Sequence, residues 1–162
     1  MVYSQILRRL RNEKTNYRKR KHLLMGRRDF ITVQISSENT LVQIHKPEME
    51  GDKVLASAHS RSLLNKGWKG SRKSIPAAYL TGYLAGKKAL TKGAKDAVLY
   101  SGTRKYTQRM AAALKGVIDA GLEVPADAET FPAQERLGGK HLKVTNDIDK
   151  IKSAIDSEVK TK

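Results

Sequence analysis

Cysteine is absent from this 162-residue sequence. A disulfide framework and a thiolate metal site are therefore excluded. Long apolar runs are also lacking: in the first 28 residues the apolar cluster is Leu23 to Met25, against the roughly 20 residues that span a bilayer. It is also too short for the apolar core of a secretory signal, which needs about 7 to 15 residues. No transmembrane segment is predicted.

Aromatic residues are scarce as well, and so is serine in the first 28 residues. A mitochondrial presequence is Arg-rich and poor in acids. The first 28 residues share those two traits but contain few serines, and their charge continues further along the chain, so we favour a cytoplasmic protein. Aromatic residues make up 6% and hydrophobic residues 39%, which suffices for one modest core with charged extensions at both ends.

Negative charge is the other shortage. The chain has 32 basic and 16 acidic side chains, and its first 28 residues contain ten Lys or Arg and one acid, Glu13. So much like charge opposes compaction unless a polyanion neutralises it. A membrane-surface helix would carry Trp, Phe and Leu on one face, which this basic segment lacks. The composition favours a nucleic acid as the partner and no membrane.

The first half of the chain predicts a helix and three strands. A helix is expected from about Thr15, as N-cap, to Met25, with Gly26 as its stop. Period-two alternation over 30–35 and a second strand over 40–45, joined by a polar turn, predict an antiparallel hairpin. A third strand is expected where Val54, Ala56 and Ala58 alternate with residues 55, 57 and 59. The segment Arg61–Lys73 is predicted to be an irregular basic loop.

The second half predicts helices and one more strand. Ser74 and Pro76 open a helix that runs to about Leu90, and Gly82 and Gly86 on one face allow close packing. The apolar run 97–100 predicts a strand covered on both faces and a right-handed parallel crossover. A further helix carries apolar residues from Met110 to Ile118 at helical spacing. The five acids of 119–135, without any base, are expected to face away from RNA.

These elements indicate a single small α/β domain, in which a mixed β-sheet, with its antiparallel hairpin and parallel crossover, is packed with helices. We expect a basic N-terminal helical extension over 1–28, a core over 29–142 and a C-terminal tail over 143–162. In the tail, apolar residues from Val144 to Val159 and an N-cap at Asn146 predict a short amphipathic helix. It would dock on the core or on a partner.

The cations of the extension are the first candidate RNA contacts, since they would neutralise phosphates and release counterions. They are Arg8, Arg9, Arg11, Lys14, Arg18, Lys19, Arg20, Lys21, Arg27 and Arg28. Tyr17 lies among them and is expected either to stack on a base or ribose or to cover the core. For Tyr3 the sequence favours neither alternative.

The basic loop is the second candidate. Its proposed contacts are Arg61, Lys66, Lys69, Arg72 and Lys73, with Trp68 anchoring the loop and stacking on RNA only secondarily. Ser57 and His59 share one strand face and would hydrogen-bond RNA if that face is open.

Catalytic and cofactor sites are not expected. The histidines lie at no metal-ligand spacing. Gly82 to Lys87 has too few residues between its glycines for a phosphate loop, and Tyr79 and Tyr83 are expected to serve packing. A nuclease needs several converging carboxylates, whereas the strand positions offer Asp29 and Asp96. We predict no enzyme, no cofactor, no metal and no small-molecule substrate.

Several motifs identify a family resemblance. The stretches GWKG at 67–70 and IPAAYLTGYLAGKKA at 75–89 closely resemble the archaeal form of ribosomal protein eighteen of the large subunit. Further stretches support this resemblance: TNYRKR at 15–20, LASAHS at 55–60, ALKG at 113–116, DAGL at 119–122, FP at 131–132, ERL at 135–137 and Gly139. The resemblance runs from about Arg8 to Leu142.

The resemblance implies a mixed sheet packed with helices, a basic N-terminal extension and a place beside 5S rRNA in the central protuberance of the large subunit. It also implies contacts with large-subunit rRNA and neighbouring ribosomal proteins, and no enzymatic activity. The chain departs from the family at its hairpin, where Gln34, Ser36, Ser37 and Glu38 replace basic residues, and near Tyr100 to Gly102.

Our hypothesis is therefore a structural ribosomal protein that binds 5S rRNA and helps to attach it to the large-subunit rRNA. The alternative is a general nucleic-acid-packaging protein without RNA specificity.

Overall fold

A four-stranded mixed sheet forms the centre of the computed structural model, which describes residues 8–139, 142 and 147–160. Its strands are β1 (Asp29–Ile35), β2 (Thr40–Lys46), β3 (Lys53–His59) and β4 (Ala97–Leu99). In space they follow the order β3, β2, β1, β4. β1 pairs antiparallel with β2 and parallel with β4, so the predicted hairpin and the parallel strand pair are both confirmed.

Six helices accompany the sheet in the described part of the chain. They are α1 (Arg8–Arg11), α2 (Tyr17–Met25), α3 (Ile75–Leu90), α4 (Gln108–Asp119), α5 (Gln134–Leu137) and α6 (Ile148–Lys160). Short 3₁₀ helices cover Ser60–Lys66 and Ala128–Thr130. Across these described ranges, no helix combines the length and the apolar character that crossing a bilayer requires.

The two faces of the sheet have different roles. One face is buried against α3 and its neighbours, and it carries Ile31, Val33, Val42, Ile44 and Ala56. This follows from the strand period of two, which sends alternate side chains to opposite faces. The other face, the open face, carries mostly polar residues.

A β-bulge alters the predicted alternation of the third strand. Ile44 pairs with Ala56 but His45 pairs with Val54, so Leu55 is an extra residue in β3. Val54 consequently lies opposite His45 and is 46% exposed, while Leu55 packs against the core. The prediction that Val54 shares a face with Ala56 and Ala58 is therefore wrong.

α3 and α4 pack so closely that their backbones touch. A Cβ atom added to Gly82 of α3 would lie 2.0 Å from the carbonyl oxygen of Ala113 in α4. One added to Gly116 of α4 would lie 2.1 Å from the carbonyl oxygen of Tyr79 in α3. The close packing predicted at Gly82 and Gly86 is confirmed, and Gly116 is the matching glycine on the second helix.

Three other local predictions are corrected. The N-cap of α2 is Asn16, whose side chain accepts from Lys19 N, and not Thr15. Residues Ser60–Lys66 form a 3₁₀ helix where an irregular loop was expected. The fourth strand ends at Leu99 and lies at the edge of the sheet, where Val98 and Leu99 are only half-buried, so it is not covered on both faces.

α6 packs on the core with its apolar side. Ile151 and Ile155 are buried there, and Ile148 and Val159 pack at the margin. Tyr83 of α3 donates its hydroxyl proton to Asp156 at 3.0 Å, and Lys152 lies 4.9 Å from the ring centroid of Tyr79. Packing roles for the two tyrosines are thus confirmed. The predicted cap at Asn146 lies outside the described residues.

Candidate nucleic-acid interface

Residues 8–28 of the basic extension form two helices that lie almost entirely on the surface. Neither α1 nor α2 contains a buried residue. α2 begins where Asn16 caps it and ends at Met25, after which the backbone N–H groups of Gly26 and Arg27 donate to the carbonyls of Leu23 and Leu24. Because a helix without a buried residue has little apolar contact to hold it, the position of α2 must come from specific side-chain contacts.

Most of the predicted phosphate contacts in this extension are exposed to solvent. The exposed ones are Arg8, Arg9, Arg11, Lys14, Arg18, Lys19, Lys21, Arg27 and Arg28, and Tyr17 is 40% exposed. Tyr17 therefore does not cover the core, which leaves its ring open to a base or ribose. The expectation for Tyr3 lies outside the described residues.

Arg20 differs from the other cations because it is half-buried against the core. Its two terminal nitrogens donate to the Asp52 carboxylate at 2.9 and 2.5 Å. Its guanidinium carbon lies 5.4 Å from the ring centroid of Phe30 and 5.8 Å from that of Tyr100. The hydrogen bonds to Asp52 are the main reason that the pKa of Arg20 is raised, against the opposing effect of burial.

Three more cations of the extension make contacts within the protein. Lys19 Nζ donates to Ser101 Oγ at 3.0 Å, and Arg28 Nε lies 3.4 Å from Asp96 Oδ2. Arg9 Nε donates to Thr15 Oγ1 at 3.0 Å, which occupies the hydroxyl that was expected to cap α2. Each of these three side chains remains exposed.

The open face of the sheet lies next to this extension. It displays Thr32 and Gln34 from β1, Gln43 from β2, and Ser57 and His59 from β3. Gln34, Ser57 and His59 are exposed, and α3 and α4 pack on the opposite face. The condition set for Ser57 and His59 is therefore met: their face is open.

The His59 side chain is oriented by a hydrogen bond from the backbone directly after it. Its Nδ1 accepts a hydrogen bond from the backbone N–H of Arg61 at 3.1 Å. Since Nδ1 is the acceptor, the proton of the neutral ring belongs on Nε2. His59 can thus donate from Nε2 to a phosphate oxygen or a ribose hydroxyl.

The part of the predicted basic loop that follows the 3₁₀ helix, residues 67–73, keeps the name basic loop and is tied to the hairpin end of the sheet. Arg72 Nη2 lies 3.4 Å from Glu38 Oε2, and the backbone carbonyl of Arg72 accepts from Thr40 Oγ1 at 3.5 Å. Lys69 and Lys73 are exposed. Lys66, directly before the loop, instead forms an ion pair with Glu158 of α6 and is only 11% exposed.

Trp68 anchors this loop, as predicted. Its ring is 2% exposed and belongs to the hydrophobic core, and its backbone N–H bonds to the carbonyl of Leu63 at 3.0 Å. A ring buried to this extent has no face on which a base could stack, so the secondary stacking role is wrong. Among buried side-chain nitrogens and oxygens of the described residues, Trp68 Nε1 is the one without a hydrogen-bond partner.

We expect Trp68→Phe to change the free energy of unfolding by less than about 1 kcal/mol. The lost apolar contact is offset by removal of a buried N–H that has no acceptor. RNA affinity should stay at the parent value, which a filter-binding titration beside urea unfolding would check. Weaker RNA binding by an equally stable variant would contradict the anchor role.

Two carboxylates, Asp29 and Asp96, lie near each other at the start of β1 and β4. Burial, and after it the negative charge of Asp96, raises the pKa of Asp29. Arg28 pairs with Asp96. The described residues contain no group of three histidine or carboxylate side chains that could hold a metal ion.

The extension and the basic loop lie at opposite ends of the open face. Arg20 contacts Asp52, at the start of β3, whereas Arg72 contacts Glu38, in the turn between β1 and β2. Strands of seven residues separate these ends by about 20 Å. Sequence reasoning missed the polar side chains between them, Thr32 and Gln43, although alternation with buried neighbours places both on this face.

Comparison with known proteins identifies the family. The family of ribosomal large-subunit proteins 60S L5 and 50S L18 matches residues 2–110. The chain belongs to this family. The resemblance found in the motifs of 67–89 is thereby confirmed. The family's members are structural ribosomal proteins and not enzymes, so the chain is a component of the cytoplasmic large ribosomal subunit.

Three archaeal relatives carry the name large ribosomal subunit protein uL18. That of Aeropyrum pernix is 47% identical over 143 residues, which cover 86% of this chain and 67% of the relative. That of Thermofilum pendens is 42% identical, covering 86% and 72%. That of Methanothermobacter thermautotrophicus is 41% identical, covering 86% and 74%. Members of the family associate with rRNA and with other ribosomal proteins.

Proposed function

We propose that this protein binds 5S rRNA and helps to attach it to the large-subunit rRNA in the central protuberance. The observation that carries the proposal is the open face of the sheet, with exposed cations at both of its ends. RNA is recognised largely through shape, phosphates and ribose hydroxyls. A polar surface flanked by cations about 20 Å apart suits such a ligand better than a small molecule or a membrane.

The mechanism we propose is neutralisation by positioned charges. Cations of the extension contact phosphates and lower the repulsion between RNA segments, while the core determines where these charges lie. The phosphate contacts are assigned to Arg8, Arg9, Arg11, Lys14, Arg18, Lys19, Lys21, Arg27 and Arg28, to Arg61 in the 3₁₀ helix, and to Lys69, Arg72 and Lys73 in the basic loop. Ser57 and His59 contact ribose or phosphate from the open face, and Tyr17 stacks.

Besides Arg20, which is paired with Asp52, two residues of the original set are reassigned within this proposal. Lys66 is paired with Glu158 and Trp68 is buried, so both support the basic loop rather than touch RNA. We also propose that residues 1–28 form an RNA-binding extension, which precedes a core over residues 29–142. The tail, 143–162, then stabilises the core, because α6 buries Ile151 and Ile155 there.

The test is a comparison of ligands at equal salt. We expect 5S rRNA to shift in a gel at a protein concentration at least about tenfold lower than duplex DNA or transfer RNA of similar length, since base and shape contacts add to the phosphate contribution. Equal binding to all three would instead support a general packaging protein. A titration at several salt concentrations separates the specific part of the binding free energy from the electrostatic part.

A further inference from the structure

Helix α2 is attached to the core by very few contacts. None of its residues is buried, and Leu23 is its only half-buried apolar side chain. Two adjacent residues make polar contacts with the core, Lys19 with Ser101 and Arg20 with Asp52. The position of a helix with so little apolar contact depends on these side chains.

Arg20 sits in a site built from both a carboxylate and an aromatic platform. The rings of Phe30 and Tyr100 stack at 5.5 Å with an angle of 26° between their planes. The guanidinium lies over both rings while its two terminal nitrogens hold both oxygens of Asp52. The side chains of Arg20 and Asp52 are only 24% and 26% exposed.

This geometry requires arginine rather than any cation. A guanidinium is planar, so it can donate a paired fork to a carboxylate and stack on aromatic rings at the same time. An ammonium group is a compact charge without a plane or a fork. Because these donors of Arg20 are already hydrogen-bonded to Asp52, Arg20 could contact a phosphate only if its ion pair with Asp52 were broken.

We propose that Arg20 is a positioning residue that docks α2 on the end of the sheet before RNA arrives, and that it does not itself contact phosphate. Its clamp, formed by Asp52, Phe30 and Tyr100, presents the remaining cations of α2 to the RNA in a set geometry. An undocked helix would be binding-competent only part of the time, which lowers the apparent affinity by that fraction. The inference rests on the proposed function, since it concerns how the extension meets rRNA.

Asp52→Asn tests the clamp because two explanations predict opposite changes in RNA affinity. The substitution removes a negative charge and makes the protein more basic, so simple electrostatic attraction would strengthen RNA binding. If the clamp positions α2, loss of the charged fork should instead weaken 5S rRNA binding by about three- to tenfold. Glu48→Gln is the matched control, because it removes the same charge from an exposed position in the same loop.

Arg20→Lys provides a second variant that keeps the net charge. If Arg20 positions α2, this variant should weaken 5S rRNA binding as Asp52→Asn does. If Arg20 contacts phosphate instead, lysine should preserve most of the affinity. In both variants the amides of α2 should exchange with solvent deuterium faster in the RNA-free protein, while those of α3 stay unchanged, since local opening raises exchange only where contacts are lost.

The two readouts separate failure of the clamp from failure of the proposed function. Unchanged exchange in α2 for both variants would overturn the clamp, whatever the RNA result. Faster exchange with undiminished 5S rRNA affinity would overturn the positioning role. A parent protein that does not prefer 5S rRNA in the ligand comparison would overturn the proposed function, and exchange would still decide whether Arg20 docks the helix.

Discussion

Gly82→Ala is expected to lower the free energy of unfolding by about 3 kcal/mol or more. The added methyl carbon would lie 2.0 Å from the carbonyl oxygen of Ala113 and 2.8 Å from its carbonyl carbon. Both are backbone atoms of α4, so no side chain can rotate away and the helices themselves must separate. Alanine gains up to about 1 kcal/mol from its less flexible unfolded chain, which is too little to compensate.

Urea unfolding followed by circular dichroism would measure this loss. Gly86→Ala should cost less, because its methyl group would meet the Ala120 side chain at 2.7 Å and backbone atoms only beyond 3.0 Å. Gly26→Ala is the control: its backbone is helical at φ −73° and the nearest atom is 3.4 Å away. A Gly82→Ala variant as stable as Gly26→Ala would contradict the backbone contact between α3 and α4.

The contact between α3 and α4 shows what sequence patterns can and cannot predict. Gly82 and Gly86 share a face of α3 because they are four residues apart, and this predicts close packing without naming the partner. The partner glycine, Gly116, lies in a helix predicted from its apolar stripe. Pairing the two requires knowing that α3 and α4 are neighbours, which only the folded chain reveals.

Two predictions failed where the local sequence allows more than one outcome. Thr15 and Asn16 are both good N-caps, and Asn16 takes the role while the Thr15 hydroxyl accepts from Arg9. In β3 the bulge was invisible because Val54 and Leu55 are both apolar. Neither outcome follows from the propensities of the segment concerned.

The candidate RNA interface was predictable as a group of cations but not residue by residue. A segment with ten basic residues and one acid indicates a polyanion partner because its charge must be neutralised. Whether a given cation faces RNA depends on partners far away in the chain, such as Asp52 for Arg20 and Glu158 for Lys66. Composition identifies the surface, and tertiary contacts decide which of its charges are committed to the fold.

Replacing Arg18, Lys21 and Arg27 together with glutamine is expected to weaken 5S rRNA binding by about 100-fold near 0.15 M salt. All three are exposed in or directly after α2, and each would neutralise one phosphate. Each lost phosphate contact lowers the slope of log affinity against log salt by about 0.7 to 0.9, so the slope should fall by about 2 to 3. Filter binding at four or more salt concentrations would measure both quantities.

The matched control replaces Lys92, Lys95 and Lys150 with glutamine, which changes the net charge by the same amount outside the extension and the basic loop. These lysines are exposed as well, so both triple variants should unfold like the parent. If net charge alone attracted the RNA, the two would weaken binding equally. If the extension is the contact, the control keeps the parent's salt slope, because counterions are released only where a cation lies against a phosphate. An unchanged slope in the Arg18, Lys21 and Arg27 variant would show that α2 does not touch the RNA.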